Sequence, residues 1–576
     1  MEAIFFETFP HLNEQIFSEL DNESLVICKE VDKTWNKFID GQKLLWIRMI
    51  EKQIGRLEQY PETWMKVTSK TKVKNVKELA LTVDQFYNSD GDGYAGVPNA
   101  GAVWTPIHII ASCGRLHLFQ FIVEKVMEKN PPNKHGITPL HMAAANGHLD
   151  VYKLIMGCVN DKNPKDNEGN TPLHIAANEG HFEVCKLIIA HVDDKNPADN
   201  IGITPLHAAA MKGHLEICKI FLGNVDNKSP PDNYSDTPLH YAAQAGHWNI
   251  CKLTIDQVND KNPSNNDGIT PLHVAAGEGN LNICELFIDS LEDKNPSDNE
   301  GVTPLFIAAE DGHFEICKLI IAYEDNKNPS NGGVTLLQVA AQEGHLNICQ
   351  LIIDLLDDKN PPGNDGRTPL HIAAAIGHLE VCKLFLENAH DKNPGDNDGH
   401  TPLHTAAEEG HLEICKLLLG NMHMKNPADN EGETPLHIFA REGNLEICRF
   451  LLQNVYNKNP ADNDGKTPLH NAAEEGHLEI CKLFMTYIID KNPSRNDGTT
   501  PLHVAAHYGH FNVCKLIIEN VDVKNPSNDR GDTPLSLATQ CAKLLNYGGH
   551  NEICKLFTKR RKVGLNAIQK SKAAKK

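Results

Sequence analysis

Two residue types with chemical reach are frequent along this 576-residue chain and recur largely in register: cysteine, sixteen in all, and histidine, thirty in all. Close sets of three or four such side chains hold zinc, and a cysteine beside a histidine makes a nucleophile. The spacing speaks against both. Eleven cysteines (Cys185, Cys218, Cys251, Cys284, Cys317, Cys349, Cys382, Cys415, Cys448, Cys481 and Cys514) recur at intervals of 33 residues, once 32. Equivalent positions of stacked units lie about one repeat apart, beyond the roughly 7 Å Cα limit of a disulfide. Each falls on an apolar helical position, so a small buried hydrophobe is expected. Unpaired thiols in this number fit a reducing compartment. The histidines come two per interval, as in His174 and His181, with no further ligand to complete a metal set. Each is expected to hydrogen-bond locally and hold the turn of its own unit. The string Asn88-Ser89-Asp90-Gly91-Asp92-Gly93 is like the start of a calcium loop, but its twelfth position is Asn99 and Pro98 blocks the following helix, so a linker is expected. No G-x-x-x-x-G-K-[ST], G-x-S-x-G or H-E-x-x-H string occurs. No catalytic, cofactor or metal residue is assigned, and enzymatic activity is not expected.

The elements that carry these residues repeat. Thr-Pro-Leu-His and its variants start at Thr105, Thr138, Thr171, Thr204, Thr237, Thr270, Thr303, Thr335, Thr368, Thr401, Thr434, Thr467, Thr500 and Thr533, fourteen copies in all. In the copy from Thr171 to Asn200, Thr171 is an N-cap whose oxygen can accept an N–H of the first turn, and Pro172 takes the first helical position. Leu-His-x-Ala-Ala continues a short helix whose alanines admit a close neighbour. Gly180 supplies a left-handed helix end. His181 to Ile189 start a second helix with apolar residues at three-and-four spacing. Asn196-Pro197 stops it, and Asp199-Asn200-x-Gly202 is a turn signal. One such pair cannot bury its apolar face alone, so the copies must stack.

The unit closely resembles the ankyrin repeat, from about Val103 to Thr558. The resemblance implies an all-α fold: an ankyrin-repeat solenoid of about fourteen helix-turn-helix repeats with β-hairpin loops. Ankyrin units usually carry a Gly after the second helix; here Val192-Asp193-Asp194-Lys195-Asn196-Pro197 stands instead. A slightly longer second helix and a stiffer loop are expected. The copies at Thr303 and Thr335 depart together, with Phe306 and Gln338 for His, Leu336 for Pro, and one residue lost around Gly332, where a local change of curvature is expected. The last copy carries seven extra residues and reads as a cap.

Residues 1–50 differ. Ile16, Phe17, Leu20, Leu25, Val26, Ile27, Val31, Trp35 and Phe38 mark short helices, with Leu45-Trp46 closing. The segment resembles an F-box: Phe9-Pro10 stands for its opening, Ile16 to Asp21 for a helix end, Leu25-Val26 for the next helix, and Val31 to Trp35 for the Val-to-Trp spacing, with Asp for Cys. That resemblance implies a small N-terminal helical domain that docks through Pro10, Ile16, Leu20, Leu25, Val31 and Trp35 on a Skp-type adaptor within a cullin ubiquitin ligase. The alternative is a helical cap over the first repeat. Residues 51–88 read as a helical connecting segment, 89–102 as a Gly-rich linker, 103–558 as the array and 559–576 as a basic tail.

Composition bounds the partners. The net charge is −21, yet from Lys555 onward there are nine Lys/Arg and no Asp or Glu, which leaves about −30 on the rest. An acidic body lacks the positive footprint that nucleic acid requires. No run approaches a membrane span, and no charged leader precedes an apolar stretch at the start. A monomer binding a basic or neutral protein is expected, in the cytoplasm, or in the nucleus if Lys559-Arg560-Arg561-Lys562 is an import signal rather than a solubilising tail. Ankyrin arrays usually bind through loop tips and the ends of first helices. Positions eight and nine of four successive units, counting Thr as one, read Glu408-Glu409, Arg441-Glu442, Glu474-Glu475 and His507-Tyr508, an acidic patch suited to a basic segment.

Overall fold

Proline fixes where each first helix begins. Thr171 is extended (φ −109°, ψ 164°), Pro172 follows at the first helical position, and the helix runs Pro172–Glu179 to a left-handed Gly180. A second helix, Phe182–Ile189, turns back along it. The computed structural model describes residues 106–558 except 115, 124–127 and 546–548. Residues 1–50, 51–88, 89–102 and 559–576, with the F-box-like residues and the basic tail, lie outside that range. The chain divides into two compact units, Met1–Glu300 and Gly301–Lys576. Within each, first helices pack on first helices and second on second. Leu173, Ala176, Ala177 and Cys185 are fully buried in that packing, and their counterparts in the repeats from Thr204 to Thr500 are buried too. The alanines leave room for close approach, and burial pushes the Cys185 thiol up to about 12. The eleven periodic cysteines are free and buried.

Histidine ties the repeats together, so the expectation of a purely local role is corrected. Nδ1 of His174 accepts the Thr171 backbone N–H at 3.0 Å, which fixes that nitrogen as unprotonated. Nε2–H therefore donates, to the Ile203 carbonyl of the next repeat at 3.1 Å. His437 repeats the pattern with Thr434 (3.1 Å) and Lys466 (3.1 Å). The repeat is short enough that an imidazole rooted in one helix reaches the turn of the next. The second histidine of each pair reaches the other way: His181 Nε2 lies 3.0 Å from the Ala145 carbonyl, 36 residues back. A Cβ on Gly180 would stand 2.5 Å from the ring of His214, so this helix end needs glycine for space as well as for its positive φ.

The Asp-Lys-Asn-Pro connector does three separate jobs. Asp194 accepts the Asn196 N–H at 3.1 Å, an Asx turn. Asn196 accepts the N–H of Leu206, ten residues on, at 3.0 Å, and so caps the next first helix in support of Thr204. In part of the repeats the lysine caps the helix behind: Lys359 Nζ donates to the Ile353 carbonyl at 2.7 Å and also to Leu356. A cation on the carbonyl end of a helix replaces the glycine that ankyrin units usually place there. The second helix runs ten residues in Leu346–Leu355 and Leu478–Tyr487 but eight in Phe182–Ile189 and Leu215–Leu222. The expected lengthening thus holds for only part of the repeats. In the shorter ones the last turn tightens, with the His191 N–H reaching the Ile188 carbonyl at 2.9 Å.

The β-hairpin loops expected of every repeat reduce, among the described residues, to one: Ser330–Asn331 pairs antiparallel with Val334–Thr335. Gly332 and Gly333 both have positive φ (58° and 92°), as a two-residue hairpin turn requires, and this is what the lost residue produces there. Elsewhere a side chain does the work of a strand. Asp199 Oδ1 takes the N–H groups of Ile201 and Ile203 at 2.9 and 2.8 Å. Asn200 Nδ2 donates to the Asn167 carbonyl at 3.0 Å, and Asn233 to Asn200 at 3.2 Å. An asparagine ladder runs along the loops, and Asn430 and Asn463 continue the pattern in the second unit at 3.0 Å each.

Two predictions follow from these contacts. Burial pushes His141, His174, His404 and His437 down to about 4 from 6.5. A folded-state value below the unfolded one gives stability that is complete above about pH 6.5 and is lost as pH falls toward 4, worth at most about 3 kcal/mol per histidine. Melting temperature should fall steeply over that window. Gln338 makes the same two bonds without titrating, at 2.8 Å each. The triple variant His404→Gln, His437→Gln, His470→Gln should therefore melt close to the parent at pH 7.5 and lose less at pH 4.5; an unchanged pH slope would refute the assignment. Asn360→Ala removes the acceptor of the Leu370 N–H (3.0 Å). It should cost about 1 kcal/mol and abolish exchange protection of the Leu370 amide first.

Candidate partner-binding face

Most repeats spend the same side chains on their frame, so what differs between them elsewhere is what a partner can read. Those differences sit at positions five, eight and nine of the first helix and in the turn before it. In the first unit they shape a groove of about 560 Å³ with Met142, Ile175 and Met211 among its apolar lining and Asp166, Glu168 and Glu179 among its acidic lining. The main chain beneath position eight is held firmly in both units, because the second histidine of the following repeat donates to it: His477 to the Arg441 carbonyl at 2.8 Å, His510 to that of Glu474 at 2.7 Å.

The eight residues singled out by sequence occupy matching positions of four successive repeats in the second unit. Glu409, Glu442 and Glu475 are exposed. Glu408 is exposed too, and the desolvation it does undergo raises its carboxyl above the usual range. Arg441 Nη1 lies 2.9 Å from Glu433 and its Nε 3.4 Å from Glu442. Glu474 is 3.0 Å from Lys466 and 3.6 Å from Arg495. Burial alone would raise its carboxyl; those cations and the Tyr508 hydroxyl outweigh it and hold it below the usual range. The charge of Glu474 in turn raises the Tyr508 phenol. His507 and Tyr508 meet edge to face at 5.0 Å, and Cys541 Sγ lies 3.6 Å from His507 Nδ1.

The face is therefore not a bare acidic patch. Arg441, Lys466 and Arg495 interleave with the carboxylates, and Glu474 is already neutralised. The helix positions alone missed this, since Lys466 and Arg495 come from the turns, which face the same way. A signal was present in the turn sequence: Arg495 stands where Asp429 and Asp462 make their Asx turns. Among the described residues no group of three or more His, Cys, Asp or Glu side chains is placed to hold a metal ion. None of their helices is long and apolar enough to cross a membrane.

No curated protein matches the chain. The family model described as ankyrin repeats (3 copies) matches it at residues 73–166, 151–232, 224–298, 279–361, 354–429, 420–495 and 484–567. With that match over most of its length, and with the stacked helix pairs that carry it, the chain belongs to the ankyrin-repeat family.

Proposed function

We propose that the chain is a protein-interaction adaptor that serves as substrate receptor of a Skp–cullin–F-box ubiquitin ligase, its repeats holding the client and its N-terminal segment docking on the Skp-type adaptor. Ankyrin repeats indicate protein–protein interaction, and members of the family are typically non-enzymatic scaffolds. The observation that carries the reading is the contrast within each repeat: the Thr–His frame recurs almost unchanged, while positions eight and nine change from Asn178-Glu179 to Met211-Lys212 to Glu408-Glu409. A framework so uniform gains nothing in stability from variety at exposed positions, so the variety serves recognition. The ligase role rests on the F-box resemblance of Pro10, Ile16, Leu20, Leu25, Val31 and Trp35. A scaffold without any ubiquitin role, its N-terminal helices a cap, is the alternative. The client is a basic or neutral protein, met in the cytoplasm or, if residues 559–562 act as an import signal, in the nucleus.

Pull-down from cell extract separates the two readings. The intact chain should capture a Skp-type adaptor and cullin, and the variant Leu25→Asp with Trp35→Ala, at equal helical content, should not; capture by neither leaves the scaffold. Reversal of Glu408, Glu409 and Glu475 to Lys should cut client capture at least tenfold and leave adaptor capture intact. Unchanged client capture would remove this face from the site.

A further inference from the structure

The loop that leaves each second helix carries a row that the partner-binding face does not use. In the eight repeats from Thr138 to Thr368, positions 23 and 24 are both polar, as in Asp193-Asp194 and His390-Asp391. The residue at position 24 makes the Asx turn, accepting the N–H two residues on, at 3.1 Å for Asp194 and 3.0 Å for Asp391. The next four repeats break this rule together. Met424, Tyr456, Ile489 and Val523 each replace one polar residue of the pair. They are 68%, 102%, 98% and 65% exposed. Met424 and Val523 stand at position 24, where a side chain without an oxygen cannot make the turn. Those two repeats give up a local hydrogen bond, Asn457 and Asp490 keep it in the other two, and all four expose apolar surface. A change that breaks a local rule without structural return marks a functional surface.

All four lie on the same edge of the second unit, one per repeat, at positions 24, 23, 23 and 24. That order reads the same from either end. We propose that this edge is a self-association face, and that its occupant is a second copy of the chain related by a two-fold axis between Tyr456 and Ile489. An isologous contact needs a patch that complements itself under rotation. A second copy has the same repeat spacing and can therefore meet all four side chains at once. Tyr456 then packs on Ile489 of the other copy, and Met424 on Val523. The charge pattern permits it: the Asp-Asp and Glu-Asp pairs of earlier repeats would repel a like edge, whereas here only Asp490 and Asp522 remain. A tyrosine offers about 150 Å², and with the three aliphatic side chains and their polar flanks the pair of copies reaches the low end of about 1,200 Å² for a specific interface. The result is a weak dimer that forms with concentration, in place of the monomer expected from sequence.

Sedimentation of the full chain at about 1 to 100 µM, bracketing a weak interface, tests this. The weight-average mass should climb from monomer toward dimer. Tyr456→Glu and Ile489→Lys, each almost wholly exposed in the monomer, should leave melting unchanged and each weaken dimerisation at least tenfold. Mixed in equal amounts they should recover it, because the two-fold axis sets the new Glu of one copy against the new Lys of the other. A chain that stays monomeric, a dimer that both variants keep, or a mixture that fails to recover would each overturn the proposal. So would a monomer that binds phosphatidylserine vesicles through this row, which would assign it to a lipid surface.

Discussion

The neutral imidazole of the first helix is the interaction on which the stack depends. One nitrogen accepts the Thr N–H that opens its own helix, and the other donates to the carbonyl that closes the next turn, 29 residues away. Helices of seven or eight residues are too short to be stable in water. Each therefore needs its ends satisfied by something outside itself, and the imidazole serves two such ends at once. Its neutrality is not incidental: a proton on Nδ1 would set two donors face to face inside a buried site. Where histidine is missing, chemistry of the same shape takes over in Gln338, while Phe306 leaves Thr303 to cap alone, at a long 3.5 Å.

The connector between repeats follows the same economy. Asp and Asn of Asp-Lys-Asn-Pro satisfy a turn N–H and the second N–H of the next helix, and in part of the repeats Lys takes the last carbonyls of the helix before. The asparagine ladder adds a bond from each loop to the one before. Regular strands are then unnecessary, and the loops are free to carry other residues at their tips.

Much of this was legible in the sequence, and the limit is physical. The period, the helix starts at Thr-Pro, the glycine ends and the buried cysteines all follow from spacings within one unit. Partners at 29, 33 or 36 residues do not, because they depend on how far one layer sits from the next. So the histidines read as local, the lysine cap was invisible in a string that read only as a stiffer loop, and Asn196 read only as a stop before proline. The binding face shows the same boundary. Helix positions put Glu408, Glu409 and Glu475 at matching places of their repeats, but the neutralisation of Glu474 by Lys466 and Arg495 needed the turns folded in beside them.

The bonds that join one repeat to the next end on main-chain carbonyls far more often than on side chains: Ile203 and Lys466 for the first histidines, Ala145 and Arg441 for the second, Asn167 for the ladder. A main-chain carbonyl is the same atom whatever residue bears it. A repeat can therefore be duplicated, deleted or exchanged for another without its neighbours having to change a single side chain. The frame is in effect a standard coupling, and lineages carrying such a chain can vary array length and surface by recombination between copies, long before point substitution refines either.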